Sequence, residues 1–171
     1  MRNKTIKAKT ILFFGDSFVP CRITMEVSDG IGIHVIGAPD ERVKEMLLRV
    51  VSVLDSNGVR VAGKKIVVYF QTEGKITAKE RAEAHWELVD LPLALCFYEA
   101  AGAVAIQDKT VYIGELRLDG TLHSSVLTIL PYINNYLIGE DLTLVAPCDC
   151  SPRVCLINKH TSLLPKNWQS Q

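Results

Sequence analysis

The order of segments predicts an α+β fold: a mixed or antiparallel sheet packed by about three helices. Three observations carry this expectation. Apolar residues alternate at period two in the first third of the chain, they recur at spacings of three and four after Pro39, and strands then mix with helices without a regular βαβ beat.

Lys7 to Phe14 and Arg22 to Ser28 read as strands. In the second, Ile23, Met25 and Val27 alternate with Arg22, Thr24, Glu26 and Ser28, which predicts a wet face or a nearby edge. Asp29-Gly30 tolerates the positive φ of a tight turn, so an antiparallel hairpin into Ile31 to Ile36 is expected. Pro39 suits the first turn of a helix, and Asp40 and Glu41 suit its positive end. Val43, Met46, Leu47, Val50, Val51 and Leu54 form one apolar stripe, with Arg42, Lys44, Glu45 and Arg49 off it, until Asn57-Gly58 closes the helix.

Lys65 to Phe70 is almost unbroken apolar, as a central strand would be. In the polar segment Gln71 to Glu87, Thr77 with Glu80 three residues later makes a capping box for a short helix. Asp90 is expected to cap a helix from Leu91 to Ala101, apolar nearly all round and therefore buried, which Gly102 stops. Val111 to Ile113 and Glu115 to Leu118 read as short strands, with Asp119-Gly120 turning the second into Thr121-Leu122. Ser124 or Ser125 can cap a helix to about Asn134-Asn135, and Leu142 to Val145 reads as the last strand. The pattern weakens after Pro147, so residues 1–146 are expected to form one domain and 147–171 a partly ordered extension.

Composition narrows the function classes. The 171 residues are 48% hydrophobic, and 19 Lys+Arg balance 19 Asp+Glu, which argues against a disordered tail and a strongly basic nucleic-acid binder. No apolar run reaches the ~18 residues of a membrane-spanning helix. The five cysteines, an odd number with Cys21 and Cys96 inside apolar segments, fit a reducing compartment, so a cytoplasmic chain is expected.

Five pieces in a fixed order carry a resemblance. They are His34-Val35-Ile36-Gly37-Ala38-Pro39-Asp40 before a helix, Asn57-Gly58, Lys64-Lys65-Ile66-Val67-Val68, Asp90-Leu91-Pro92-Leu93-Ala94-Leu95, and Gly114-Glu115-Leu116-Arg117-Leu118-Asp119-Gly120. Over roughly residues 8 to 146 the chain resembles the N-terminal domain of the magnesium-chelatase-like ATPases related to the prokaryotic competence protein ComM. That resemblance implies a fold shared with the proteolytic domain of Lon, where a Ser nucleophile is activated by a neutral Lys. Aligned through Asp90-Leu91-Pro92, the position of such a Ser falls at about Leu88, and no Ser, Thr or Cys lies between Lys79 and Asp90. The expected lysine is missing as well, for none occurs between Lys109 and Lys159. A Walker A loop is approached only at Gly58 to Lys64, where Lys65 stands in the magnesium-holding Ser/Thr position and a helix, not a strand, precedes. The resemblance therefore implies a module without peptidase or ATPase chemistry, for which no catalytic, cofactor or metal residue is assigned. Its expected partner is a protein, either a second copy or an AAA+ ATPase, and its expected contact surfaces are the exposed face of the Pro39 to Ser56 helix and the segment Gln71 to Glu87.

Other constellations have plainer readings beside their chemical ones. Cys148, Cys150, Cys155 and His160 offer four zinc ligands at an unusual spacing, against free cysteines near a domain edge. His123-Ser124-Ser125 places a base beside hydroxyls that a helix cap also explains. His34 and His85 have no recognisable partner in the sequence. Asp40, Asp90, Glu115 and Asp119 would make an acid–base pair only if two of them converged, whereas caps and turns account for Asp40, Asp90 and Asp119. Arg2, Lys4, Lys7 and Lys9 read as a solvated basic tail, and Lys75, Lys79 and Arg81 as a solvated loop or a weak DNA contact. A hydrolase with another constellation, such as His123 with Ser125, and a DNA-associated factor are the alternative functions.

Overall fold

The computed structural model describes residues 3–123, 126–148 and 151–156. Lys4–Phe14 (β1) and Ser17–Asp29 (β2) pair antiparallel along their whole length, from Lys4 opposite Val27 to Phe14 opposite Ser17. Gly32–Ile36 (β3), Asp40–Ser56 (α1) and Lys64–Thr72 (β4) follow, then the short helix Ala78–Glu83 (α2) and a 3₁₀ turn at Trp86–Val89 that runs into Asp90–Ala100 (α3). Thr110–Tyr112 (β5), the hairpin Glu115–Leu116 (β6) with Leu122–His123 (β7), Val126–Gly139 (α4), Thr143–Cys148 (β8) and Ser151–Leu156 (β9) complete the order.

Seven strands form one mixed sheet in the order β3-β4-β2-β1-β5-β8-β9, so the α+β class holds. The β1–β2, β2–β4 and β8–β9 ladders are antiparallel; β3–β4, β1–β5 and β5–β8 are parallel. Three long helices pack on it, with α2 as a short fourth.

The hairpin expected at Asp29-Gly30 does not form. The chain reverses there, but β4 lies between β2 and β3, with Lys64 opposite Asp29 and Lys65 opposite Gly32. A turn signal fixes reversal, not adjacency; β4, apolar and suited to an interior place, takes the space between the two strands, as expected of its composition. The N-terminal lysines are likewise not a tail, because Lys4, Lys7 and Lys9 are part of β1. The helix expected to end near Asn134-Asn135 continues to Gly139, carried by burial of Ile133 and Leu137. Ser124 and Ser125 lie outside the described residues.

Parity along β1 sorts the core into two clusters. Ile6, Ala8 and Leu12 face the side covered by α1 and α3, where Met46, Val50, Val53, Leu54, Trp86 and the whole of Leu91 to Tyr98 except Pro92 join them. Ile11 and Phe13 face the opposite side, where Ile133 and Leu137 of α4 cover them. Helix α3 is buried all round, as its composition predicts, and each large side chain it buries is worth about 1.5–3 kcal/mol.

Candidate functional site

One ionic group lies in the centre of the larger cluster. The Asp90 side chain is fully buried, at 0% exposure, and meets the Arg49 guanidinium in a two-pronged contact: Nε donates to Oδ2 at 2.6 Å and an Nη to Oδ1 at 3.1 Å. The Leu116 amide donates to Oδ2 at 3.0 Å. The expected N-cap role is therefore wrong. The 3₁₀ turn already supplies helical backbone ahead of Asp90, Val89 occupies the cap position, and no side chain caps the helix. Instead Asp90 ties three elements together: α1 through Arg49, α3 through its own backbone, and β6 through Leu116. Burial pushes its carboxyl up to about 7, although Arg49 and the Leu116 amide both pull it down. Arg49 is raised: burial opposes its charge but is outweighed by the hydrogen bond and attraction of Asp90. Glu115 adds its field to both, raising each, while Asp40 begins α1 and Asp119 accepts from the Thr121 amide and hydroxyl in the exposed turn.

Two glycines let backbone close tightly, Gly114 beside this junction and Gly37 at the end of β3. A Cβ at Gly114 would stand 3.2 Å from that of Leu91 and 3.1 Å from the Pro147 ring, and here the Leu91 amide donates to the Gly114 carbonyl at 2.9 Å while the Gly114 amide donates to Leu88 at 2.8 Å. Gly37, at φ +98°, turns β3 toward α1 so close to β4 that a Cβ would collide with the Phe70 carbonyl oxygen. Arg81 donates to the Gly37 carbonyl, which draws one of the loop cations into the fold.

The side of the sheet opposite α1 and α3 is covered only in part by the described residues. Beyond the reach of α4, the outward residues of β1, β2 and β4 line a depression of about 380 Å³: Thr5, Lys7, Arg22, Thr24, Tyr69 and Gln71, with Glu26. Lys7 and Arg22 also border a second one of about 220 Å³, beside Lys9, Gln107 and Asp108. The register puts Lys9 directly opposite Arg22 and Lys7 opposite Thr24. The Lys9 ammonium donates to the Asp108 carbonyl.

Residues 23–147, well over half of the chain, match the family described as subunit ChlI of Mg-chelatase. The chain belongs to the ChlI family. The comparison with curated proteins finds no match.

In this ChlI-family chain the five motif pieces are places where the fold closes. Gly37 makes the close turn, Gly58 ends α1 at φ +76°, β4 fills the gap between β2 and β3, Asp90 is the ionic junction, and Gly114 seats Leu91. The candidate chemical residues lie elsewhere. Leu88, where the expected resemblance would put a Ser, packs against the cluster under α4. Gly63 lies in the loop between α1 and β4, and Lys64 begins β4, where it pairs with Asp29 at 3.8 Å. Burial pushes the Cys21 thiol up to about 12 and the Cys96 thiol higher still, which keeps both protonated and poorly nucleophilic. His123 stands opposite Glu115 across the β6–β7 hairpin, and His85 has the partner its sequence concealed: its Nδ1 lies 3.0 Å from Glu87. His34 is exposed on β3. Of the zinc candidates, Cys148 ends β8 and Cys155 is on β9 opposite Ala146; Cys150 and His160 lie outside the described residues. Among the described residues no group of three His, Cys, Asp or Glu side chains is placed to hold a metal ion, and no helix is long and apolar enough to cross a membrane.

Sequence reasoning missed Arg49 and the junction role of Asp90. The signal was present: Met46, Arg49, Val50 and Val53 share the spacing of the buried stripe, and Asp90 heads a helix with no polar face to receive it. Two opposite charges, each in an apolar setting, ask for one another.

Proposed function

We propose that this ChlI-family chain is a non-catalytic module that acts in the cytoplasm through protein contacts, either with a second copy or with an AAA+ ATPase. In this reading its scaffold is Lon-like and related to the N-terminal domain of ComM, with the Ser–Lys chemistry lost. The observation that supports it most is the use made of the motif residues. Leu88 fills apolar space and Asp90 is committed to Arg49 and Leu116, so the segment where the resemblance places the nucleophile is occupied by packing. Purified chain, studied by sedimentation alone and with ATPases from the same source cells, is expected to self-associate or to form a stoichiometric complex. A strict monomer that binds no ATPase overturns the proposal.

A hydrolase remains the second reading because the β6–β7 register sets His123 opposite Glu115, an arrangement that can orient an imidazole. A panel of peptide and ester substrates separates the two: background rates favour the contact module, and turnover abolished by His123→Ala favours the hydrolase.

A further inference from the structure

We infer that the face of β1, β2 and β4 left open by the described residues is the docking surface for an acidic, extended segment of a partner protein. The inference rests on the contact-module reading and names the surface and its chemistry. Charge complementarity carries it. A chain with no net charge gathers Lys7, Lys9, Arg22 and Lys65 on one sheet face, where Glu26 in the larger depression and Asp108 at the rim of the smaller one are the carboxylates among the described residues. The register makes this arrangement costly to the free protein, because Lys9 and Arg22 stand directly opposite one another and like charges in that position repel. A ligand carboxylate between them removes the repulsion, and the Arg22 fork can hold it in two hydrogen bonds.

The shape of the face suits a strand-like ligand. The two depressions adjoin through Lys7 and Arg22, and Thr5, Thr24, Tyr69 and Gln71 supply uncharged hydrogen-bonding groups along the way. A nucleic-acid strand fits less well, since platforms for single strands stack successive bases on several rings along a basic track. Here Tyr69 is the one aromatic ring lining the depression, and Glu26 would face the phosphates.

The test uses the full chain, a fluorescein-labelled oligoglutamate peptide and an oligothymidylate strand. The wild type is expected to bind the peptide with an affinity that falls as salt rises, and Lys7→Glu/Arg22→Glu is expected to weaken it at least about tenfold. Both residues are exposed, so the variant is expected to keep the wild-type circular dichroism and melting behaviour. Lys75→Glu/Lys79→Glu changes net charge equally at a separate exposed segment, the loop before α2 and its first turn, and is expected to bind like the wild type. Equal losses in the two variants, no loss in the first, or tighter binding of the oligothymidylate than of the peptide would each overturn the proposal. Should the peptide fail while sedimentation still shows self-association or an ATPase complex, the contact-module reading stands and only this surface is wrong.

Discussion

On the covered side of the sheet Asp90 is matched atom for atom by Arg49 and the Leu116 amide, whereas on the open side Lys9 and Arg22 face each other across β1 and β2. The difference follows from solvent. A carboxylate withdrawn from water must find partners or lose its charge, and the fold uses that need to lock α1, α3 and β6 together. Cations left in water meet no such demand, so their arrangement is free to serve a contact rather than stability. The inner region teaches what holds this scaffold; the outer region is where the proposed contact is to be tested.

The sharpest way to break the inner half of this contrast is to strip one partner. Arg49→Ala or Asp90→Ala is expected to cost about 3–5 kcal/mol, because a buried charge or its desolvated partner is left alone. Urea titration measures it, and losses under about 1 kcal/mol would mean the junction is dispensable.

The proton on Asp90 gives the next largest effect. Its carboxyl sits near 7 in the folded chain against an ordinary value of 3.8. Between these values the folded state holds the proton that the unfolded chain has released. The group's contribution is therefore full below about pH 4 and is lost as pH rises through 7, a change on the order of 4 kcal/mol. Urea midpoints of the wild type are expected to fall from pH 5 to pH 8 by more than those of Asp90→Asn; parallel profiles would contradict the assignment.

A smaller effect belongs to α2, where the Thr77 hydroxyl accepts from the Glu80 amide at 3.1 Å and the Glu80 carboxylate accepts from the Thr77 amide at 3.0 Å. Thr77→Ala is expected to cost about 1 kcal/mol, seen as early local exchange of the α2 amides. On the outer face the sign reverses: Arg22→Thr, which removes the like-charge opposition, is expected to stabilise the free chain by about 0.2–1 kcal/mol. Destabilisation there would show that Arg22 serves the fold, and the contrast between the faces would collapse.

Local chemistry made much of this legible. The capping box at Thr77, the stripe of α1 closed by Asn57-Gly58, the all-apolar α3 and the Asp119-Gly120 hairpin each depend on residues a few positions apart, and each formed. What stayed hidden was long-range. The insertion of β4 between β2 and β3 and the meeting of Arg49 with Asp90 join positions dozens of residues apart, and no local pattern encodes which partner arrives. The basic face was hidden for the same reason, since Lys7 and Lys9 gain their meaning only when β2 brings Arg22 alongside.

The central claim, that this ChlI-family scaffold works by contact through its open face, is tested most directly by sedimentation of the tagged chain from its source cells beside Lys7→Glu/Arg22→Glu. The account predicts that the wild type migrates in a stoichiometric complex, with an ATPase or with itself, and that the variant, equally folded, runs as a monomer. A wild type that is monomeric at high concentration, or a variant that assembles just as well, would contradict it.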